Sequence, residues 1–259
     1  MDRAFLLIVE FDGTRYAGWQ RQPDALTVQS VMEAALGRLA GSDRKAIAAG
    51  RTDAGVHALG MPVSVTMPPR WTCAELQRAV NAVLPRDVAV REVRAVVPGT
   101  DARRSATGRR YRYDVVTATS ARSPFRSRVA WPLGRQLDLP RLHRAAALLP
   151  GTHDFRAFAV VGEPKPHYRC HIVEARWDAL DDGLVRFTVA ADRFLHHMVR
   201  MLVGTMVDIG LDRRPEGDMA RLLTLTHNTE TSAPAPACGL SFMAATYPES
   251  IWLEERAAW

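Results

Sequence analysis

Lysine is nearly absent from this chain. Lys45 and Lys165 are the only lysines, so arginine supplies almost all of the 34 Lys and Arg side chains. Alanine is abundant as well, and a genome rich in G and C would produce both biases without any functional cause. The scarcity of lysine therefore excludes no class of protein. The positive charge has to be interpreted from the places where the arginines lie.

Cysteine is also scarce. Cys73, Cys170 and Cys238 are far apart, odd in number and without a Cys-x-x-Cys pair. This pattern argues against a disulfide framework and against a zinc site. We expect three separate reduced thiols and no bound metal.

Long apolar runs are missing too. No run approaches the roughly 18 uninterrupted apolar residues that a membrane helix needs. The segment 1–10 has a short apolar run and no small-residue cleavage site, so it is not typical of a secretory signal. With 259 residues, 47% of them hydrophobic, the chain can bury a substantial core. We expect a soluble, cytoplasmic protein without a membrane span.

The charge that is present is positive. The formal net charge is +6 and the pI is about 9.7, which favours polyanionic partners such as nucleic acid. Arginines alternate with Tyr111 and Tyr113, a pattern that suits phosphate contacts beside base-stacking rings. A solvated strand edge is an equally good interpretation of that pattern alone. The clustered arginines are Arg103, Arg104, Arg109, Arg110, Arg112, Arg122, Arg126 and Arg128.

Hydrophobic periodicity predicts alternating strands and helices in the first hundred residues. Thr27 and Thr72 are typical N-caps of the two helices. The order strand, helix, strand, strand, helix, strand matches a split β-α-β unit of the ferredoxin-like kind. The predicted strands cover 4–11, 46–49, 62–67 and 88–97, and the predicted helices cover 28–40 and 73–83.

The second half repeats this mixture. A turn at Asp181–Gly183 predicts an antiparallel pair of strands, Asp218 is a candidate N-cap, and 233–237 is expected to be extended. The predicted strands cover 109–116, 168–180, 185–191 and 241–247, and the predicted helices cover 139–149, 194–209 and 219–224. We expect an α+β protein with mainly antiparallel sheets, divided into halves over 1–105 and 106–259.

The most distinctive loop is Gly50-Arg51-Thr52-Asp53-Ala54-Gly55. Two glycines bracket a short polar run after a strand, so the backbone can turn tightly and approach a ligand closely. Asp53 can therefore be pointed into a cleft, and Arg51 can neutralise a phosphate. On local chemistry alone, a turn that Asp53 caps is the more ordinary interpretation.

The wider set of motifs resembles the TruA family of tRNA pseudouridine synthases. The run from Gly50 to Ala58 closely resembles the active-site signature of that family. Other blocks resemble further family elements in the same order. They are Phe11–Gln22, Thr27–Gln29 with Glu33 and Leu36, Arg109–Tyr113, Gly151–Phe155, Phe194–Arg200 and Ala235–Leu240.

The resemblance implies a role for each matching residue. Asp53 falls on the catalytic nucleophile and Tyr111 on the tyrosine that packs against the target base. Arg200 falls on the arginine that pairs with the catalytic carboxylate. Arg51 falls on an arginine that helps to hold the extruded nucleotide, and Leu240 on an apolar residue of the pocket.

The same resemblance implies a fold and a reaction. It implies two ferredoxin-like or RRM-like halves that form one catalytic body around a central RNA-binding cleft. The expected substrate is the tRNA anticodon stem-loop at positions 38–40, and the expected assembly is a homodimer. The reaction is an isomerisation that needs no redox change, so no cofactor is implied. Two alternatives stay open: an RNA-binding or chaperone protein without catalysis, and a related synthase with another RNA target.

Several residues are assigned more modest roles. Arg103, Arg104, Arg109 and Arg110 are candidates for RNA backbone contacts. The segment from Thr100 to Ala106 departs from the aromatic pattern of the family. His196 and His197 fall in the predicted helix 194–209, where adjacent side chains point apart, so a paired metal site is not expected. His57 is expected to pack behind the Asp53 loop, and Trp19 either contacts RNA or is structural.

Overall fold

The structure is a computed structural model that describes residues 2–160 and 167–253. Within these ranges, helices are short, and none combines the length and apolar character needed to cross a membrane. The fold is α+β with mainly antiparallel strand pairing, as predicted. The strands are β1 Arg3–Phe11, β2 Ile47–Ala48, β3 His57–Met67, β4 Val88–Ala95, β5 Gly108–Val116, β6 Trp131–Pro132, β7 Gly151–Asp154, β8 Arg169–Leu180, β9 Leu184–Ala191 and β10 Leu240–Thr246. The helices are α1 Val28–Ala40, α2 Cys73–Val83, α3 Leu139–Ala147, α4 Met198–Gly210 and α5 Asp218–Leu222.

The described residues form two compact units. The first unit consists of the described residues of Met1–Thr107 and Phe242–Trp259, and the second consists of those of Gly108–Ser241. The last strand, which the sequence-based division places in the second half, thus joins the first unit from Phe242 onward. The division of the chain into domains over 1–105 and 106–259 stays a prediction.

The first unit has the predicted strand–helix–strand–strand–helix–strand order. Its strands lie in the order β4-β1-β3-β10, and the short β2 also pairs with β3. β1 is antiparallel to both of its neighbours. Side chains of one face of β1, including Ala4 and Leu6, pack with Val96, Ala102 and Ile251.

Both helices of the first unit begin where the sequence predicts. The Thr27 hydroxyl accepts from the backbone N–H of Ser30 over 3.2 Å, and the Ser30 hydroxyl accepts in return from the N–H of Thr27. Thr72 and Glu75 form the same reciprocal capping box on α2. These caps satisfy backbone donors that have no partner inside the helix, which fixes each helix start.

The second unit has the strand order β5-β9-β8-β7, with β6 parallel to the end of β5. β8 and β9 form the predicted antiparallel hairpin, and Asp182 takes a left-handed conformation in its turn. The α4 stripe Met198, Met201, Leu202 and Met206 is buried, as its helical spacing predicts.

Some predicted boundaries are wrong. Helix α4 begins at Met198 rather than Phe194, because His197 before it has a φ of +62° and cannot continue a right-handed helix backwards. Asp218 is not an N-cap, since Gly217 holds that position and the Asp218 carboxylate instead accepts from Arg214 and Arg221. Strand β3 begins earlier than predicted, at His57.

Candidate active site

Asp53 lies in the loop between β2 and β3. Its side chain is half-buried, whereas Arg51 is exposed and Thr52 is buried. The backbone N–H of Val56 donates to the Asp53 carbonyl over 3.2 Å and closes a turn. Gly55 has a φ of +77°, which glycine adopts without steric cost. The loop thus makes the tight turn that its bracketing glycines predict.

The segment after β1 holds this loop through its backbone. The N–H of Gly55 donates to the Tyr16 carbonyl over 3.3 Å, and the N–H of Trp19 donates to the Thr52 carbonyl over 3.0 Å. Asp53 lies between these two anchors. Because both bonds are made by main-chain atoms, they restrain the backbone of Asp53 itself and not only its side chain.

Two glycines allow the two segments to approach so closely. A Cβ at Gly18 would lie 2.5 Å from the Thr52 carbonyl oxygen, and one at Gly13 would lie 2.0 Å from the Val56 carbonyl oxygen. Gly18 also has a φ of +94°. No side chain fits at either position without displacing the Asp53 loop, which gives the glycines of the Phe11–Gln22 block a physical function.

His57 packs behind the loop, as expected, with 4% of its surface exposed. The backbone N–H of Gly13 donates to His57 Nδ1 over 3.1 Å, and an Asp12 carboxylate oxygen lies 3.2 Å from the same nitrogen. These contacts join the end of β1 to the start of β3. The sequence carries no signal for the partnership with Asp12, because the two residues lie far apart in the chain.

Trp19 and Tyr16 are buried in the segment after β1 that contacts the Asp53 loop, and they stabilise it. Trp19 is 2% exposed and its ring packs near Phe11, so the structural interpretation of Trp19 is the correct one. The Tyr16 hydroxyl donates to Asp87 over 2.7 Å. Burial, together with that hydrogen bond, raises the pKa of Tyr16, so its phenol stays protonated.

Tyr111 lies on β5 in the second unit and pairs with Val189 of β9. Its side chain is 8% exposed. The ring of Phe194 meets the Tyr111 ring edge-on, with 5.1 Å between centroids and 86° between planes. This arrangement is a favourable aromatic geometry that fixes the orientation of both rings.

Tyr113 shares the face of β5 that Tyr111 occupies, as the strand parity predicts. It is fully buried, and its hydroxyl donates to the Pro236 carbonyl over 2.6 Å. A Cβ at Gly239 would lie 2.5 Å from the Tyr113 ring. The Ala235–Leu240 element therefore packs directly on this strand, and burial raises the pKa of Tyr113 far above its ordinary value.

Arg110 and Arg112 of β5, and Arg186 of the neighbouring β9, have acidic partners. Arg110 Nη1 lies 2.6 Å from a Glu174 carboxylate oxygen. Arg186 forms a bidentate pair with the buried Asp114, over 2.7 and 3.0 Å, and Arg112 Nε lies 3.5 Å from the same carboxylate. Burial lowers the pKa of Arg112. Ion pairing within the sheet thus accounts for part of the arginine–tyrosine pattern.

Arg200 is the third residue of α4 and is half-buried. Its Nε donates to the Ala235 carbonyl over 2.8 Å, and the N–H of Ala235 donates to the Arg200 carbonyl over 2.9 Å. Gly204, one turn further on, allows this contact, because a Cβ there would lie 2.2 Å from the Ala233 carbonyl oxygen. The start of α4 is therefore pinned to the extended stretch that leads to Leu240.

The segment that departs from the family pattern forms a capped turn. The Asp101 carboxylate accepts from the backbone N–H groups of Arg103 and Arg104 over 2.8 and 2.9 Å. Ala102 is fully buried, and its carbonyl accepts from the Tyr247 hydroxyl. Both arginine side chains are exposed on a backbone that is held in place.

The expected site residues are distributed over the two units. The first unit carries Asp53, Arg51, Arg103 and Arg104, and the second carries Tyr111, Arg200, Leu240, Arg109 and Arg110. Leu240 is buried, with 6% exposed. Arg109 is half-buried and donates to the Asp192 carbonyl over 3.0 Å.

The sequence interpretation missed the contact between Phe194 and Tyr111. A signal for this contact exists in the sequence, because Phe194 is the first residue of the Phe194–Arg200 block. The prediction that Phe194 begins a helix drew attention away from it. The expectation that His196 and His197 point apart on a helix is wrong, since both precede α4 and their ring centroids lie 4.2 Å apart.

Comparison with known proteins identifies the family. Residues 7–98 and 145–248 match the profile of the family described as tRNA pseudouridine synthase. The chain belongs to this tRNA pseudouridine synthase family, which confirms the resemblance drawn from its motifs. Its class of activity is that of an isomerase that forms pseudouridine from uridine in tRNA.

Three curated relatives, each called tRNA pseudouridine synthase A, are similar over nearly their whole lengths. The protein from Syntrophotalea carbinolica is 38% identical over 247 residues, 93% of this chain and 95% of the relative. The protein from Moorella thermoacetica is 40% identical over 238 residues, 90% of this chain and 95% of the relative. The protein from Thermus thermophilus is 40% identical over 251 residues, 95% of this chain and 98% of the relative.

Proposed function

We propose that this chain converts uridine to pseudouridine in the tRNA anticodon stem-loop, at positions 38–40, with Asp53 as the nucleophile. The observation that carries the proposal is the restraint of the Asp53 backbone by hydrogen bonds at Thr52 and Gly55. A reacting carboxylate has to be held in place while remaining accessible, and Asp53 is half-buried.

The reaction balances without an outside reagent. The bond between ribose C1′ and uracil N1 breaks, the uracil rotates, and a bond forms between C1′ and C5. The proton on C5 is lost and N1 gains one, so the product is an isomer of the substrate. The Asp53 carboxylate attacks either C1′ or uracil C6, and in both routes it must be ionised.

Tyr111 is assigned to the target base. A ring that stacks on uracil stabilises the flipped-out nucleotide by about 1–3 kcal/mol, and the edge-on contact with Phe194 holds the Tyr111 ring in one orientation. Its hydroxyl is the alternative agent, assisting proton removal at C5. A phenol is a poor general base, so we favour stacking.

Arg200, Arg51 and Leu240 complete the assignment. Arg200 is assigned to pair with the catalytic carboxylate, and its hydrogen bond to Ala235 orients the guanidinium. The exposed Arg51 contacts the extruded nucleotide, and the buried Leu240 provides an apolar wall of the pocket.

Flipping a uridine out of a stem costs a few kcal/mol, which contacts to the RNA backbone offset. We assign Arg103, Arg104, Arg109 and Arg110 to such contacts. Arg103 and Arg104 suit this role best, since their side chains are exposed while Asp101 holds their backbone. Arg110 has to exchange its partner Glu174 for a phosphate.

We also infer that the enzyme works in the cytoplasm, and that it forms the homodimer that the resemblance implies. Light scattering coupled to size-exclusion chromatography tests the assembly against the chain mass of 28.7 kDa. A mass of one chain across the micromolar range contradicts the homodimer.

Site-resolved pseudouridine mapping tests the proposal. The purified protein is incubated with unmodified tRNA transcripts and with total RNA, and pseudouridine is located in each. We expect new pseudouridine at tRNA positions 38–40. Binding of tRNA without any new pseudouridine favours the non-catalytic RNA-binding alternative, and modification at other sites favours a synthase with another target.

A further inference from the structure

The segment between β5 and β6 presents an aromatic ring to solvent. Phe125 is 86% exposed, and Val129 in the same segment is 45% exposed. No residue assigned to the reaction belongs to this segment. A single exposed apolar side chain is common on protein surfaces, so the surroundings of Phe125 decide what its exposure means.

The backbone that carries Phe125 forms a structured turn. Ala121 and Ala130, on either side of it, are buried in a small cluster with Val116. Inside this base the N–H of Ser127 donates to the Ser123 carbonyl over 2.9 Å.

Arg126 ties the turn to the β8–β9 hairpin. Its guanidinium donates to the Asp182 carbonyl over 3.1 Å and to the Asp182 carboxylate over 2.6 Å. Phe125, next in the chain, therefore stands on a backbone fixed at its base and beside its apex. A backbone held in this way loses little conformational entropy when Phe125 binds a partner.

The charge around the ring has one sign along the chain. No acidic residue occurs between Asp114 and Asp138, whereas four arginines do: Arg122, Arg126, Arg128 and Arg135. Asp182 pairs with Arg126. Arg122 and Arg128, which precede and follow Phe125 by three residues in the sequence, are exposed.

We propose that this turn binds an unpaired base of the tRNA substrate, with Phe125 stacking on the base and Arg122 and Arg128 contacting flanking phosphates. An aromatic ring beside arginines matches the two surfaces that a single strand offers, a π-face and a phosphate. A protein partner or a lipid surface would need a larger apolar patch than Phe125 and Val129 provide among serine, proline and arginine neighbours. The identity of the RNA rests on the proposed function.

The test measures tRNA affinity for a graded series at Phe125. Phe125→Ala and Phe125→Leu should each raise the Kd for tRNA by about 5- to 140-fold, because neither side chain offers a π-face. Phe125→Trp should keep the Kd within about twofold. Val173→Ala is the matched control, since Val173 is an apolar β8 residue that is 64% exposed, and its Kd should not change.

The outcomes separate the turn from the chemistry. Unchanged affinity in Phe125→Ala, wild-type affinity in Phe125→Leu, or an equal loss in Val173→Ala overturns the inference. A halved particle mass in Phe125→Ala also overturns it, because the ring then binds a second copy. At saturating tRNA, Phe125→Ala should still form pseudouridine. A wild-type protein that forms none refutes the proposed function instead, and the affinity series still decides the role of Phe125.

Discussion

At the scale of single residues, the position of Asp53 depends on two glycines that have no Cβ to keep the neighbouring segment away. Gly18 and Gly13 lack a Cβ, and the carbonyls of Thr52 and Val56 occupy the space where one would be. The buried His57 adds a contact to the backbone of Gly13. These residues need not contact substrate to matter, because they set where the carboxylate can lie.

Gly18→Ala should therefore reduce catalysis by displacing the Asp53 loop. The added Cβ meets the Thr52 carbonyl oxygen at 2.5 Å, and a displacement of the reacting group by about 1 Å can lower the rate by about 100-fold. We expect kcat to fall by at least about tenfold, measured on a tRNA transcript.

Gly41→Ala is the control for backbone strain. Gly41 also has a positive φ, +73°, but nothing lies within 4 Å of a Cβ there. Its substitution should lower the free energy of unfolding by about 1–2 kcal/mol and leave kcat unchanged. Equal kcat in the two variants would show that a clash with the Thr52 carbonyl does not affect catalysis.

Substitutions at Tyr111 separate its ring from its hydroxyl. Tyr111→Phe keeps a stacking surface, and the contact with Phe194 is made by the ring. We expect Tyr111→Phe to retain more single-turnover pseudouridine formation than Tyr111→Ala, which loses about 1–3 kcal/mol of stacking. Equal losses in the two variants would assign the function to the hydroxyl.

The sequence predicts the roles of some of these residues but not their contacts. Asp53 alone is an ordinary turn aspartate, and only the ordered set of motifs indicates a nucleophile. The burial of His57 follows from its apolar neighbours Val56 and Ala58. Its contact with Asp12, and that of Phe194 with Tyr111, depend on chain segments that meet only after folding, so no local pattern reveals them.

At the scale of elements, local chemistry predicts helix starts well where a side chain caps the backbone. Thr27 and Thr72 do so, and α1 and α2 begin as expected. The predicted start of α4 is wrong, because His197, in a left-handed conformation, interrupts a helical hydrophobic pattern. The predictions omit β6 and β7, of two and four residues, because such short strands have no clear periodicity.

Asp218 in α5 makes stability depend on pH. Burial raises its pKa, but hydrogen bonds from Arg221 and Arg214 outweigh burial and hold the pKa of Asp218 below its ordinary value. Its stabilising contribution is therefore present above about pH 4 and is lost as the pH falls through the pKa of the folded protein. Asp218→Asn should lower Tm at pH 7 and lower it less at pH 3.

Thermal unfolding of wild type and Asp218→Asn at the two pH values measures this difference. The exposed Asp43 provides the control, and Asp43→Asn should change Tm little at either pH. A Tm deficit in Asp218→Asn that is the same at pH 7 and pH 3 would show that ionisation of Asp218 is not involved.

At the scale of the whole molecule, the net charge of +6 favours RNA without specifying which arginines bind it. Many arginines pair with acids, including Arg110 with Glu174 and Arg186 with Asp114. Composition therefore overestimates the RNA-binding surface, and only placement separates structural from binding arginines.

Salt dependence of tRNA binding tests that separation. Replacing Arg103 and Arg104 together with alanine should reduce the slope of log K against log salt by about one for each phosphate that the protein no longer neutralises. Arg144→Ala is the control, because Arg144 lies on α3 and pairs with Glu216. An unchanged slope in the double variant would contradict the assignment of Arg103 and Arg104.

We propose that Asp53 performs the chemistry on a framework that holds its backbone. The most direct measurement is single-turnover pseudouridine formation at tRNA positions 38–40 by Asp53→Asn, with tRNA affinity measured in parallel. The amide preserves the shape of the side chain and removes its negative charge. We predict no detectable pseudouridine with nearly wild-type affinity. Pseudouridine formation by Asp53→Asn at a rate near that of the wild type would contradict the account.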